Sequence, residues 1–397
     1  MIINTKEEFK ELVAEVESFE GYKRPLGFGV ARVDLGQVNT DKVLQAVYPL
    51  VNWNENFGSG AVLVRALVEN GVAVDFNESE IVAKVTPEIV DSVLDMFNPF
   101  LEEAKADKST HKNIQVFLTL QQLFEEHNYD NYRICILFSD DAPKSVESVY
   151  LKLYALSLGK AKLRSINLNG AFGVLSNVAW CGNIPIELDY LRENEIELKL
   201  RDEYPEIDFV DKFPRFLQHI IPADNTRILD SSKVRFGAQL AAGTTVMPGA
   251  SYINFNAGTE GAVMVEGRIS SSAVVKKGAD VGGGASILGV LSGTNGNPIT
   301  IGENTLLGAN SVTGIPLGDG CIVDAGIAVL EGTKIFIKDT EKAKIKEVNP
   351  DFDDTKETYK GLDLAGLNGI HYRFDTTLGK MVAFRSVREV KLNEELH

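Results

Sequence analysis

Hydrophobic residues are arranged in two different ways along this chain, and the change falls near residue 230. Before it, segments with apolar residues three or four positions apart, such as "EEFKELVAEVESF", alternate with compact apolar runs such as "YRICILFS" and "SINLNGAFGVLS". Helical spacing predicts helices, and compact runs predict strands. We therefore predict a mixed α/β region over residues 1–230, of one or two subdomains, beginning with a helix that Thr5 and Glu8 cap and that runs to about Ser18.

From Val234 onward, large apolar residues return every six positions in successive sets, with a shortened step before Val263 and new sets that begin at Ile301 and Leu317. These anchors are Val234, Leu240, Val246, Tyr252, Val263, Ile269, Val275, Val281, Ile287, Ile301, Leu307, Leu317, Val323, Val329 and Ile335. A small residue follows most of them four positions later. This combination predicts a left-handed parallel β-helix, in which large side chains fill the interior, small ones fit the corners, and neighbouring coils pair as parallel strands.

The six-residue rhythm places the β-helix at residues 231–337. Collagen would need glycine at every third position and a β-sandwich would alternate with a period of two, and the segment shows neither pattern. The loop "SGTNGNP" at 292–298 is expected to protrude. Residues 338–397 are predicted to form a C-terminal cap, because "IHYRFDTTLGKMVAFRSV" has the pattern of a β-hairpin that would cover the edge of the last coil.

Composition narrows the classes of function. The 397-residue chain is 44% hydrophobic and 24% charged, as in an ordinary globular protein. Its formal net charge of −16 argues against nucleic acid or an anionic membrane as the partner, so an anionic ligand would need a local basic pocket. The three scattered cysteines form neither a disulfide framework nor a metal motif. We predict a cytoplasmic protein with no metal site.

The stretch "GAVMVEGRISSS" at 261–272 places two charged residues inside an otherwise small and apolar segment. In the six-residue register, Glu266 and Arg268 both face outward, so neither charge needs to be buried in the core. Spacing alone leaves two interpretations open. They are solvated surface residues or an ion pair between subunits, or they belong to a functional site.

Four motifs in one continuous block resemble a known family. "NFNAGT" at 254–259, "MVEGRIS" at 264–270, "DVGGGASI" at 280–287 and "LLGANS" at 306–311 are similar to motifs of the tetrahydrodipicolinate N-succinyltransferases. These are hexapeptide-repeat acyltransferases of lysine and diaminopimelate biosynthesis, and the chain resembles their longer subgroup with a separate N-terminal domain. The similarity continues more weakly through "KGLDLAGLNGIHYRFDTT".

The resemblance implies roles for individual residues. The glutamate of the "MVEGR" motif is catalytic in that family, which implies this role for Glu266, while Arg268 would bind a ligand carboxylate or part of the acyl donor with its planar fork. Gly283 and Ser286 are implied ligand contacts, with tight β-helix corners as the alternative explanation for the glycines. The further positions implied to bind succinyl-CoA are Ala309, Asp324, Ala325, Gly332, Lys360, Arg373, Phe374, Asp375 and Thr376.

Some of these positions depart from the family pattern. The family often has glutamate where this chain has Asp324, and "RFDT" is less basic than the corresponding family segment, so Phe374 and Asp375 carry the weakest expectation. Lys360 and Arg373 would suit the phosphates of the donor, and ordinary solvated surface charges are the alternative.

The implied reaction is transfer of a succinyl group from succinyl-CoA, as a co-substrate, to the amine of ring-opened tetrahydrodipicolinate. The attacking amine must lose a proton. Many hexapeptide-repeat acyltransferases use a histidine to accept this proton. No histidine lies between His219 and His371, so the β-helix contains none, and a carboxylate is the natural substitute. Glu266 would act as a general base or as a nucleophile that forms an acyl anhydride. The resemblance suggests the covalent route, and the sequence by itself leaves both open. The resemblance further implies a homotrimer with active sites between subunits and no tightly bound cofactor.

Three other functions compete with this interpretation. One is another hexapeptide-repeat N- or O-acyltransferase, using acetyl-CoA, and the absence of a coil histidine counts against most of these. The second is a β-helical carbonic anhydrase, which needs three zinc-binding histidines that the coils lack. The third is a non-catalytic β-helix that only assembles subunits.

Overall fold

The computed structural model describes residues 2–126, 131–290, 294 and 296–387. They form two compact units: unit 1 contains residues 1–155 and 166–214, and unit 2 contains residues 156–165 and 215–397. The loop expected to protrude at 292–298 lies in part outside the described residues.

Unit 1 has the predicted mixed α/β character. Its larger sheet is antiparallel, with strand order β2-β1-β5-β4 and β3 paired to β1, and a smaller antiparallel sheet has the order β7-β6-β8. The strands are β1 (Gly27–Leu35), β2 (Val43–Val47), β3 (Val51–Trp53), β4 (Glu80–Lys84), β5 (Tyr132–Leu137), β6 (Val178–Cys181), β7 (Ile184–Glu187) and β8 (Phe209–Asp211). The helices are α1 (Lys6–Glu17), α2 (Phe57–Glu69), α3 (Pro87–Met96), α4 (Leu101–Ala106), α5 (Lys112–Glu126), α6 (Val146–Ser157), α7 (Ala171–Val174), α8 (Leu188–Glu193) and α9 (Glu195–Leu200), with a 3₁₀ turn at Asn98–Phe100.

Two sequence predictions in unit 1 have different outcomes. The first helix is confirmed: Thr5 caps α1 by accepting the N–H of Glu8 at 3.1 Å, and α1 ends before Ser18. The strand predicted within "SINLNGAFGVLS" is wrong. Gly170, at φ 82°, starts the short helix α7 instead, because a glycine tolerates this left-handed conformation and turns the chain there.

Unit 2 contains the predicted left-handed parallel β-helix, built from two-residue strands on three faces. The coil strands are β9 (Arg227–Ile228), β10 (Thr245–Val246), β11 (Tyr252–Ile253), β12 (Gly258–Thr259), β13 (Met264–Val265), β14 (Arg268–Ile269), β15 (Val274–Val275), β16 (Asp280–Val281), β17 (Ser286–Ile287), β18 (Thr300–Ile301), β19 (Leu306–Leu307), β20 (Val312–Thr313), β21 (Ile322–Val323), β22 (Ala328–Val329) and β23 (Lys334–Ile335). The three parallel stacks are β9-β10-β13-β16-β19-β21, β11-β14-β17-β20-β22 and β12-β15-β18. Two 3₁₀ turns, Phe216–Gln218 and Ser231–Lys233, lie near the first coil.

The observed register corrects two of the predicted anchors. Ile253, with no exposed surface, takes the interior position in place of Tyr252, which pairs outward with Arg268. Val265, not Val263, is the residue that aligns with the interior positions Val246 and Val281. The cause is irregular coil length: the steps between interior residues are not all six, and a one-residue change turns a side chain to the other face.

Arg164 connects several coils of unit 2 through its side chain. Its Nε donates to the carbonyl of Ser272 at 2.6 Å, Nη1 donates to Oγ1 of Thr300 at 2.9 Å, and Nη2 reaches the carbonyl of Ile299. Its backbone N–H donates to Oδ1 of Asn256 at 2.8 Å. One guanidinium therefore satisfies acceptors on two successive coil corners.

The chain after β23 returns to the coils. Helix α10 (Asp339–Val348) and the short strand β24 (Tyr359–Lys360) are followed by a 3₁₀ turn at Gly361–Leu364 and by a hairpin of β25 (Ile370–Asp375) and β26 (Lys380–Arg385). Strand β25 pairs in parallel with β21, so the hairpin extends the first stack by two strands.

Candidate active site

Glu266 lies at the tightest corner of the β-helix in its neighbourhood. Four residue positions separate the interior residues Val265 and Ile269, whereas seven separate Val246 from Ile253 and six separate Val281 from Ile287 on the adjoining coils. Gly267 permits this short turn, because a Cβ there would stand 2.3 Å from the carbonyl oxygen of Ala285. The corner segment that contains Glu266 is therefore shorter than the corresponding segments of the two adjoining coils.

The carboxylate of Glu266 lies beside Gly283 of the next coil. A Cβ at Gly283 would meet a single neighbouring atom within 4 Å among the described residues, Oε2 of Glu266 at 3.5 Å. The Glu266 side chain is half-buried, and within the described residues it forms no ion pair or side-chain hydrogen bond. A carboxylate held at a corner without a protein partner is available to a reacting group.

The glycines of "VGGGAS" separate into structural and available positions. Gly282 is required by packing, because its Cβ would stand 2.5 Å from the carbonyl oxygen of Leu307. The N–H of Gly284 donates to the Glu266 carbonyl at 3.2 Å. The N–H of Gly283 has no backbone acceptor in the part of the chain that the structure describes. Corner packing therefore explains Gly282 but not Gly283.

Arg268 and Ser286 are direct neighbours on one face of the coils. They pair in the parallel register of β14 and β17, and the Arg268 N–H donates to the carbonyl of Ala285 at 2.7 Å. Arg268 is exposed and Ser286 is buried. Within the described residues the guanidinium of Arg268 has no ion-pair partner. The structure thus brings four predicted residues, Glu266, Arg268, Gly283 and Ser286, to two adjacent coils.

A column of equivalent corner positions leads from Glu266 to Asp324. Each member directly follows an interior residue and donates its N–H to the next coil: Glu266 to Val281 at 2.8 Å, Gly282 to Leu307 at 2.8 Å, and Gly308 to Val323 at 2.7 Å. Three strand spacings of about 4.8 Å place Asp324 about 14 Å from Glu266. The two intervening positions are glycines, so no side chain stands in the column between the two carboxylates.

Asp324 is the centre of a charged group that includes the C-terminal hairpin. Its Oδ2 accepts from Nε of Arg373 at 2.5 Å, and its Oδ1 lies 2.7 Å from Nε2 of His371. Partial burial raises the pKa of the Asp324 carboxyl, but the hydrogen bonds from Arg373 and His371 outweigh that effect and hold the pKa below its usual range. The carboxylate is therefore ionised and doubly bonded at neutral pH.

His371 is a residue that sequence reasoning missed. The six-residue rhythm of the sequence ends before His371, whereas in the structure β25 joins the first stack and His371 lies opposite Ile322 of β21. Its position in "IHYRFD", two residues before Arg373 in an alternating strand, is the signal that could have indicated it, since such residues share a face.

The other predicted donor-binding residues occupy the outer surface near the end of the coils. Ala309, Ala325, Gly332, Lys360 and Thr376 are exposed, and Phe374 keeps 48% of its surface exposed. Gly332 and Lys360 lie in adjoining segments, because the N–H of Gly361 donates to the carbonyl of Thr333 at 2.9 Å. The carboxylate of Asp375 accepts the N–H groups of Thr377 and Leu378 at 2.9 and 3.0 Å and so closes the hairpin turn.

A cavity of about 410 Å³ lies in unit 1, between β1 and α5. Its walls are mostly apolar and include Val30, Val116 and Leu120. None of the predicted site residues lines it, so the chemistry described above does not belong to this cavity.

In the described residues, no group of three or more His, Cys, Asp or Glu side chains could hold a metal ion. No helix in the described ranges is long and apolar enough to cross a membrane.

The stacked parallel coils define the class of the hexapeptide-repeat proteins. Comparison with known families supports the assignment. Residues 7–173 match the description "Tetrahydrodipicolinate N-succinyltransferase N-terminal", residues 175–215 match its "middle" counterpart, and residues 298–331 match "Hexapeptide repeat of succinyl-transferase".

Individual relatives agree with these matches. The chain is 66% identical over 397 residues to the 2,3,4,5-tetrahydropyridine-2,6-dicarboxylate N-succinyltransferase of Nitratiruptor, with 100% of both chains covered. It is 44% identical over 264 residues to the enzyme of that name from Vibrio cholerae, which covers 66% of this chain and 73% of the relative. A crystal structure of a putative N-succinyltransferase from Campylobacter jejuni superimposes with a TM-score of 0.92 at 59% identity, covering 98% of this chain and 100% of that one. The chain belongs to the tetrahydrodipicolinate N-succinyltransferase family, and the resemblance and the fold class stated from sequence are confirmed.

Proposed function

We propose that this chain is a CoA-dependent N-succinyltransferase. It transfers the succinyl group of succinyl-CoA to the amine of ring-opened tetrahydrodipicolinate, L-2-amino-6-oxopimelate, in lysine and diaminopimelate biosynthesis. Family membership supports the reaction. The observation in the structure that carries the proposal is the Glu266 carboxylate, which lies at a tight corner beside Gly283 without a side-chain partner in the described chain.

Glu266 is the residue on which the chemistry depends. As a general base it takes the proton of the amine while the nitrogen bonds to the thioester carbonyl. The C–S bond then breaks, and the departing CoA thiolate takes that proton from Glu266. As a nucleophile it attacks that carbonyl first and expels the CoA thiolate. The amine then attacks the succinyl carbonyl of the anhydride, the C–O bond to Glu266 breaks, and the freed carboxylate accepts the amine proton. A mass increase of one succinyl group on Glu266 in acid-quenched protein would identify the second route.

Neighbouring groups supply binding and charge stabilisation in this proposal. The N–H of Gly283 is the amide of the "VGGGAS" corner that remains for the oxyanion of the tetrahedral intermediate. Arg268 binds a carboxylate of the acceptor or of the succinyl group, because its planar fork fits a carboxylate with two parallel hydrogen bonds. Ser286, its neighbour in the register, contacts the same ligand.

The donor follows the corner column toward the C-terminal hairpin. The glycines at 282 and 308 place no side chain in the column, and Ala309, Ala325 and Gly332 have at most a methyl group as a side chain. Lys360 and Arg373 meet the phosphates of CoA, which the net charge of −16 would otherwise repel. Asp324, Phe374, Asp375 and Thr376 complete this end of the donor site.

We further propose a cytoplasmic homotrimer with the active sites between subunits, no tightly bound cofactor and no metal. The hexapeptide-repeat fold supports the trimer, since its flat faces can present matching surfaces around a threefold axis. Light scattering of the purified protein at micromolar concentration should give three times the chain mass. A monomer would contradict the shared site.

Steady-state transfer with succinyl-CoA and tetrahydrodipicolinate tests the function directly. We expect turnover with succinyl-CoA and much less with acetyl-CoA, because a donor carboxylate is available to bind Arg268 in only one of them. Thermal shift with each donor provides an independent measurement. Absence of both turnover and donor binding would support a non-catalytic assembly role instead.

A further inference from the structure

His371, Asp324 and Arg373 form a hydrogen-bonded group on β25 and at the end of β21. Asp324 bonds both residues through different carboxylate oxygens, at 2.7 Å to Nε2 of His371 and at 2.5 Å to Nε of Arg373. Phe384, which is opposite His371 in the hairpin, lies against both partners: its ring centroid is 4.5 Å from the imidazole and 5.5 Å from Cζ of Arg373. The guanidinium is therefore fixed by a carboxylate and by an aromatic face.

The directions of the hydrogen bonds determine which donors remain. An ionised carboxylate only accepts, so Nε2 of His371 must carry the proton that it shares with Asp324. The 3.5 Å approach of Arg373 Nη2 to the same nitrogen is then not a hydrogen bond, because both atoms are donors. Among the residues described, neither Nη atom of Arg373 has an acceptor, so both Nη groups are available to bind an anion.

The position of the group in the coils indicates which part of the donor it serves. Arg373 follows Tyr372, which aligns with Val323, so it continues the corner column one strand beyond Asp324. Four spacings of about 4.8 Å separate it from Glu266, which gives about 19 Å. At that distance it serves the phosphate-bearing end of the acyl donor and not the thioester.

We propose that His371 is a positioning residue for the phosphates of the acyl donor. By donating to Oδ1 of Asp324 it holds that carboxylate in the orientation that fixes Arg373, whose Nη groups then bind the phosphate. This inference rests on the proposed function. It assigns His371 no contact with the reacting atoms, so its removal affects donor binding and leaves the chemical step intact.

The test compares two donors in two variants of the full-length protein. His371→Leu removes the Nε2 donor, and His371→Gln restores an N–H at a similar reach. Each is assayed with succinyl-CoA and with succinyl-pantetheine, which has the thioester but no phosphate. For His371→Leu we expect the KM for succinyl-CoA to rise about tenfold, as for the loss of one charge-assisted hydrogen bond, with kcat unchanged. His371→Gln should recover most of this loss.

The phosphate-free donor separates positioning from a structural role. Its KM should be the same in wild type and in both variants, because it never contacts Arg373. Equal losses with both donors, a fall in kcat alone, or an unchanged KM for succinyl-CoA would each overturn the proposal. If His371→Leu does not fold, His371→Asn replaces it, since its amide is too short to reach Asp324. Inactivity of the wild type with both donors would instead contradict the proposed function itself.

Discussion

Oε2 of Glu266 stands 3.5 Å from the place where a β-carbon on Gly283 would be. That relationship joins two motifs that lie about sixteen residues apart in sequence, "MVEGR" and "VGGGAS", through one strand spacing of the β-helix. It depends on the short corner between Val265 and Ile269, which turns the chain in fewer residues than the corners stacked on it.

Replacing the Glu266 carboxylate should abolish most turnover without affecting the fold. Glu266→Gln keeps the shape of the side chain but can neither accept the amine proton nor attack the thioester. We expect kcat to fall by roughly 100- to 10,000-fold, the usual contribution of a general acid or base. Glu303→Gln, an exposed glutamate on another corner of unit 2, is the matched control and should retain full activity. Retained turnover in Glu266→Gln would exclude Glu266 from the chemistry.

Two adjacent glycines should respond in opposite ways to alanine. Gly283→Ala adds a methyl group whose closest neighbour is the Glu266 carboxylate, at ordinary contact distance, so stability should change by less than about 0.5 kcal/mol while kcat/KM falls. Gly282→Ala places its methyl group 2.5 Å from the Leu307 carbonyl oxygen, and we expect a loss of about 1–3 kcal/mol. Denaturant unfolding and steady-state kinetics on both variants test the pair. A Gly283→Ala enzyme with full activity would contradict the proposed access to Glu266.

The Asp324 carboxyl should contribute stability that depends on pH. Hydrogen bonds from Arg373 and His371 outweigh partial burial and lower its pKa in the folded protein, so folding favours the ionised form. The contribution is therefore fully present above the ordinary carboxyl pKa of 3.8 and is lost as the pH falls through the lowered value. The thermal midpoint of Asp324→Asn should lie below that of wild type at pH 7, and the difference should close below about pH 4. A difference that persists unchanged in acid would show that the carboxyl charge is not its source.

Removing the Arg164 side chain should destabilise unit 2. Arg164→Ala removes the guanidinium donors from the Ser272 carbonyl and from Oγ1 of Thr300, while the Ile299 carbonyl keeps the N–H of Val274 as a donor. We expect a loss of about 1–3 kcal/mol in the free energy of unfolding, since hydrogen bonds from a charged donor are lost. Arg192→Ala is the control, because the Arg192–Asp189 ion pair is about two-thirds exposed on both sides and should contribute at most about 1 kcal/mol. Equal effects of the two substitutions would show that the hydrogen bonds of Arg164 do not specifically stabilise unit 2.

The β-helix was predictable because its six-residue repeat is visible among residues that are close in sequence. In every coil a large residue fills the interior and a small one fits the corner, so the fold class can be predicted without knowing which distant residues are in contact. Where coil length varies, this reasoning fails by one or two residues. Tyr252 has the size of an interior residue but lies outside, since the step from Val246 to Ile253 has seven positions.

The amino-acid sequence alone determined the six-residue repeat, the outward direction of Arg268 and the family motifs. Only the tertiary structure decided which residues meet: Glu266 with Gly283 across one coil, and Asp324 with His371 and Arg373 across almost fifty residues of chain. The physical reason is that a repeat specifies which way each side chain faces, whereas neighbours across coils depend on the accumulated length of every turn between them. One shortened corner or one returning hairpin changes those neighbours without changing the pattern.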